Sequence, residues 1–117
     1  MIEWTDEDAQ AANERGRIAL ATTPRARAAR YDRVQDRVVV DLVNGSTFAF
    51  PPRLLQGLED ASVEEIAEVE VLGVGFGLHW ESLDADFTVE GLMAGRFGTK
   101  RYMAERFGDA WDAAAAE

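Results

Sequence analysis

The chain has 117 residues, of which 47% are apolar and 29% charged, a balance that gives one domain a single core and excludes a disordered or membrane-embedded chain. Cysteine is absent, which removes disulfides and thiolate metal sites, and a formal charge of −10 opposes nucleic acid unless the few bases gather on one face. The start, MIEWTDEDAQ, lacks the basic, apolar, small-residue order of a secretory signal, so the expectation is a soluble cytoplasmic protein with no membrane partner.

The first element is a helix from about Asp6 to Ala21, capped by Thr5 and led by three acids that complement the helix dipole. Its apolar residues are mostly alanines and Gly16 weakens its middle, so it needs something to lie against. Thr22, Thr23 and Pro24 end it. Arg15, Arg17, Arg25, Arg27 and Arg30 follow one another without an intervening acid, whereas residues 59–90 hold ten acids and neither Lys nor Arg. Two surfaces that attract each other within the fold are the plain reading; docking of a partner or a second copy is the sharper one.

A strand over 28–34 turns at Gln35-Asp36 into the clearest stretch of the chain, two β-branched and aromatic runs joined at Asn44-Gly45. A two-residue loop would set Phe48 and Phe50 on the face opposite the valines. A three-residue loop, Val43 to Gly45, with the glycine as a left-handed bulge residue, pairs Val40 with Phe48 and Val38 with Phe50 and collects the large apolar residues on one face. Pro51-Pro52 ends this hairpin, a helical turn follows over 53–58, and Ser62 with Glu65 forms the capping box of a short helix reaching about Ala67.

VLGVGFGLHW, residues 71–80, has the glycines of a phosphate loop but leads into alternating residues rather than a helix start, so the glycines read as hairpin residues. A two-residue turn at Gly73-Val74 pairs Val71 with Phe76 and Val69 with Leu78, and a second turn near Ser82-Leu83 pairs Leu78 with Phe87. On the opposite face this register sets His79 between Glu68 and Asp86. Such a trio is a metal site or pH switch, or a solvated polar row. With one histidine and no second nitrogen or sulfur ligand the polar row is preferred and no metal is assigned. Ser82 and Asp84 are too crowded around His79 in sequence for a hydrolytic triad.

The C-terminal part reads as two helical pieces broken at Gly98, the second capped by Thr99 and carrying a core-facing stripe of Met103, Phe107, Ala110 or Trp111, and Ala114. Thr99, Lys100 and Arg101, with Gly95, Arg96 and Gly98, are candidates to hold an anion at the helix start, against an ordinary capped turn.

The segments RYDRVQDRVVVDLVNGSTFAFPPRLLQGLEDAS and VEVLGVGFGLHWESLDADFTVEGLMAGRFG resemble the bacterial family known as domain of unknown function 2442, over about residues 28–103. The resemblance rests on Leu78-His79-Trp80, then Leu83-Asp84, Asp86 and Gly91-Leu92. It implies a small α+β domain with no established activity and no assigned catalytic residues. Some members of the family are joined to a helix-turn-helix or a basic tail, or are encoded beside another small protein as in a toxin–antitoxin or regulatory pair. Nothing basic of that kind follows residue 103 here.

The expected architecture is a single α+β domain: an N-terminal helix and link over 1–24, a curved antiparallel meander of about five strands within 28–103 with helices packed on one face, and a C-terminal helix over 104–117 whose end frays. The expected function is a non-enzymatic regulatory or protein–protein interaction module without a cofactor, with a protein partner or a second copy. One rival is an accessory in nucleic-acid or toxin–antitoxin regulation, with the arginines from Arg15 to Arg30, Arg25, Arg27 and Arg30 among them, or those from Arg96 to Arg106 touching phosphates. The other is a ligand or metal sensor at His79, Glu68 and Asp86.

Overall fold

The computed structural model of the protein describes residues 6–108, an α+β arrangement of four helices and two antiparallel sheets. Helix α1, Asp6–Thr22, forms where expected; the residue assigned as its cap, Thr5, lies outside the described residues. Residues 9–18 of α1 are exposed except for half-buried Ala12, and a Cβ placed on Gly16 would meet nothing.

The first sheet has the order β1-β2-β3, made of Ala26–Asp32, Arg37–Leu42 and Thr47–Phe50. The β2–β3 loop has the expected three residues: Gly45 sits at φ +94°, its N–H donates to Leu42 O at 3.0 Å, and Leu42 N–H donates to Ser46 O at 2.8 Å. Val38 faces Phe50 and Val40 faces Phe48, so Val38, Val40, Leu42 and Phe50 are all buried. Strand β1 begins two residues earlier than expected and ends two residues earlier. The carboxylate of Asp32 accepts the N–H groups of Val34 and Gln35 at 3.0 and 3.1 Å, which closes a turn over 33–36 before the strand can reach Val34.

Between the sheets, Pro51 and Pro52 stop β3, since proline cannot donate to a ladder. The helical turn is shorter than 53–58, a 3-10 turn at Pro52–Leu54. Helix α2, Val63–Ile66, carries the full capping box, with Glu65 N–H donating to Ser62 Oγ and Ser62 N–H to Glu65 Oε1. This long insertion is why the strands do not run on as one five-stranded meander. Among the described residues there are six strands, and the last three form a separate sheet, β4-β5-β6, from Glu70–Leu72, Gly77–Trp80 and Ala85–Thr88.

The β4–β5 turn departs from expectation. Four residues, 73–76, connect the strands rather than two, so Val71 faces Leu78 instead of Phe76. The slip is by two positions, which preserves the face each side chain occupies. Leu78 and Trp80 are therefore inside as the alternation requires, and the Trp80 indole N–H donates to Ile66 O at 2.9 Å, tying α2 to the sheet. The sheets meet where Ala26 N–H donates to Gly75 O at 2.7 Å.

Helix α3, Val89–Met93, is capped by Thr88, and helix α4, Lys100–Phe107, by Thr99 as expected. The break between them starts before Gly98: Gly95 takes φ +80° and Arg96 N–H closes back on Gly91 O at 2.8 Å, the end of a Schellman-type stop. Of the expected C-terminal stripe, Met103 is buried, whereas Phe107 is 38% exposed against the rings of Phe97 and Tyr102; residues 110, 111 and 114 lie outside the described residues.

Candidate functional site

The face of the second sheet opposite Leu78 and Trp80 carries His79. Val89 N–H donates to Phe76 O at 2.9 Å, which makes Phe87 and Leu78 a hydrogen-bonded pair and leaves Asp86 and His79 as a non-hydrogen-bonded pair, the kind whose side chains approach closest. His79 Nδ1 lies 2.6 Å from Asp86 Oδ1, as the register predicts. The second carboxylate is not the expected one. The four-residue turn places Glu70, not Glu68, across from His79, and Glu68 instead accepts the Ser82 hydroxyl at 2.5 Å.

What meets the other ring nitrogen is Glu81, whose Oε2 lies 2.5 Å from Nε2. Glu81 opens the 3-10 turn Glu81–Leu83 after β5, and this turn, ended by Asp84 in the left-handed region at φ 48°, folds the carboxylate back over a residue only two positions away. Strand alternation cannot show that contact; the capping signal for the turn is too weak in sequence to find it.

Each carboxylate is an acceptor, so both ring nitrogens must carry a proton to donate, and the arrangement holds an imidazolium. The bonds to Glu81 and Asp86 accordingly raise the His79 pKa above its ordinary value of about 6.5. While protonated, with both nitrogens engaged and its side chain 15% exposed, His79 has no lone pair for a metal or for taking a proton from a nucleophile. Among the described residues no group of three or more His, Asp or Glu side chains is placed to hold a metal ion. The Ser82 hydroxyl is bound to Glu68 rather than to His79, so no nucleophile and base meet here.

The other candidates are dispersed. The Arg25 guanidinium donates to Val74 O at 3.2 Å and belongs to the contact between the sheets. Arg27 and Arg30 are exposed on β1. At the start of α4 the protein's own groups take two amides: Thr99 N–H donates to Gln56 Oε1 at 2.9 Å and Tyr102 N–H to Thr99 Oγ1 at 3.2 Å, while Arg101 pairs with Glu105 and Lys100 is engaged with neighbouring groups. The helix start is thus a capped turn.

A cleft of about 470 Å³ runs beside β6, bounded by Leu83 to Thr88 on one side and by Gln56, Arg96 and Thr99 on the other. Sequence patterning gives no sign of it, because its far wall comes from two loops distant in the chain. Among the described residues no helix is long and apolar enough to cross a membrane.

Two solved structures resemble this one. A crystal structure of a protein of unknown function from Rhodospirillum rubrum is 64% identical with a TM-score of 0.68, covering 71% of this chain and 100% of that one. A solution NMR structure of an uncharacterized protein from Chromobacterium violaceum is 28% identical with a TM-score of 0.66, covering 90% of this chain and 95% of that one. No curated protein matches the chain. The model of the family described as protein of unknown function (DUF2442) matches residues 26–98, from the first residue of β1 to the loop before α4, and the chain belongs to that family.

Proposed function

We propose that the chain is a non-enzymatic protein-interaction module whose N-terminal helix docks a partner, with a second copy of the chain as the occupant. The observation that carries this reading is α1, a helix of 17 residues whose described side chains face solvent nearly all round and which precedes the family-matched residues. Such a helix, rich in alanine and weakened by Gly16, is marginal by itself in water and gains its stability by packing. A second α1 supplies complementary charge. The sequence sets acids at positions 6–8 and arginines at 15 and 17, so two antiparallel copies crossing near residues 11 and 12 bring opposite charges together at both ends. The small residues along the helix let the two backbones approach closely.

Sedimentation equilibrium tests this. The full chain should associate to a dimer with rising concentration, and the double substitution Arg15→Glu with Arg17→Glu should weaken the dimer by about tenfold, since like charges then face each other at each end. Because the side chains of residues 9–18 in α1 are exposed apart from half-buried Ala12, the variant at low concentration should keep the fold of the parent, read as an unchanged near-ultraviolet circular dichroism spectrum. A full chain that stays monomeric at every concentration, or a variant that dimerises as well as the parent, overturns the reading.

A further inference from the structure

The cleft beside β6 follows a sheet edge that no strand among the described residues pairs with. In the order β4-β5-β6, strand β6 is an edge strand, and all four of its residues, 85–88, line the cleft together with 83 and 84 from the turn before it. Consecutive residues alternate between the two faces of a strand, so a cleft that touches all of them runs along the edge and not over a face. The bond from Val89 N–H to Phe76 O sets which backbone groups are turned outward. Val89, Phe87 and Ala85 point their polar groups at β5, and Asp86 and Thr88 therefore direct theirs into the cleft.

The far wall is held in place. Gln56 N–H donates to Phe97 O at 2.8 Å and Gln56 Oε1 accepts Thr99 N–H at 2.9 Å, locking the loop before α4 to the turn after β3. A Cβ on Gly98 would come within 2.6 Å of Gln56 Oε1 and 2.5 Å of the Tyr102 ring, so this close seam requires glycine there. The cleft also has a charge order. Asp84 is exposed at one end, while the Asp86 carboxylate is taken by His79; at the other, exposed Arg96 is fixed beside Gly91, just past Thr88, by its own N–H on Gly91 O.

We propose that this cleft binds an extended peptide segment of a partner protein, which adds to β6 as a fourth strand, with a basic side chain at the Asp84 end and an acidic group at the Arg96 end. Backbone bonding to Asp86 and Thr88 supplies affinity that is independent of sequence, and the two charged ends supply the orientation. Four residues of strand at about 3.3 Å each give a contact of roughly 13 Å, which four or five residues of extended chain span. This surface is separate from α1, so the proposal goes beyond self-association and survives or fails independently of it.

A library of randomised short peptides, panned against the immobilised full chain, supplies the probe. The enriched peptides should carry β-branched or aromatic residues between charged ends of opposite sign. In NMR spectra of the labelled full chain, the strongest of them should shift the amides of Asp86 and Thr88 and slow their exchange with solvent. Arg96→Glu should weaken that peptide by about fivefold, and exchanging the peptide's acidic end for a basic one should restore binding to the variant. Arg15→Glu with Arg17→Glu should leave peptide affinity unchanged. Any of three results overturns the proposal: no enrichment, enriched peptides that move amides of other elements, or an Arg96→Glu variant that binds as the parent does. Broadening of the Asp86 and Thr88 amides with protein concentration alone, without peptide, also overturns it by making a second copy the occupant of this edge.

Discussion

His79 is held between two carboxylates that favour its protonated form. Glu81 and Asp86 both accept from it, and the bond to Glu81 is the larger cause of its raised pKa, followed by the bond to Asp86. A histidine with a raised folded pKa favours the folded state while it is protonated. Its contribution is complete below the unfolded value of about 6.5 and is lost as pH rises through the higher folded value. Because the chain has a single histidine, this window is little disturbed by other side chains. Urea unfolding should therefore show the parent losing stability from about pH 6.5 upward, with His79→Gln flat over the same range. The imidazole resonances should titrate above the ordinary value, and Glu81→Gln should lower that pKa more than Asp86→Asn. A parent that titrates at about 6.5 would mean that the imidazolium bridge does not form in solution. The partnership with Asp86 was legible in sequence because the β5–β6 register follows from Leu78 and Phe87 sharing the buried face. Glu81 was not, because its contact arises from a turn that doubles back on the strand.

Among the elements, the β4–β5 hairpin decides how the two sheets fit together. Gly73, Gly75 and Gly77 look alike in sequence, yet the structure asks different things of them. Gly73 sits at φ +60° with open space around it, a conformation other residues tolerate at modest cost. Gly75 takes φ +103°, and a Cβ there would lie 2.3 Å from Ala26 O, on backbone that is itself bonded to Gly75. Neither the turn nor β1 can yield without breaking the seam between the sheets. Gly73→Ala should thus cost about 1 kcal/mol and Gly75→Ala about 3 kcal/mol or more, measured by urea unfolding. Equal losses at the two positions would show that the sheets are not joined at this point. The β2–β3 register was readable because Asn44-Gly45 leaves two parities and only one buries Phe48 and Phe50 with the valines. The glycine-rich hairpin was not, since loops of two and four residues bury the same side chains and parity cannot tell them apart. The join at Gly75 is a contact between distant residues that no local pattern reports. The division into two sheets was hidden for the same reason.

For the whole molecule the dominant long-range term is its charge of −10. The ten acids within residues 59–90 run from the turn before α2 along α2, the second sheet and the start of α3, and the cation of that stretch is the single protonated His79. At about 10 Å in water a pair of like charges repels by roughly 0.4 kcal/mol, and folding brings many such pairs closer than they are in the extended chain. Opposing this are pairs within helices, Arg17 with Glu14 and Arg101 with Glu105, which are weak because they are exposed and are also weakened by salt. Repulsion is spread over many pairs and attraction is confined to few, so screening removes more of the first than of the second. Stability against urea at neutral pH should therefore rise by about 1 kcal/mol between very low ionic strength and about 0.15 M sodium chloride, where the screening length falls to about 8 Å. Most of that gain should vanish in a variant that neutralises exposed acids away from His79, such as Glu64→Gln with Glu90→Gln and Asp60→Asn. If salt instead lowers the stability of the parent, the attraction between the arginines of residues 15–30 and the acidic belt outweighs repulsion within the belt, and those arginines must then lie against it in solution.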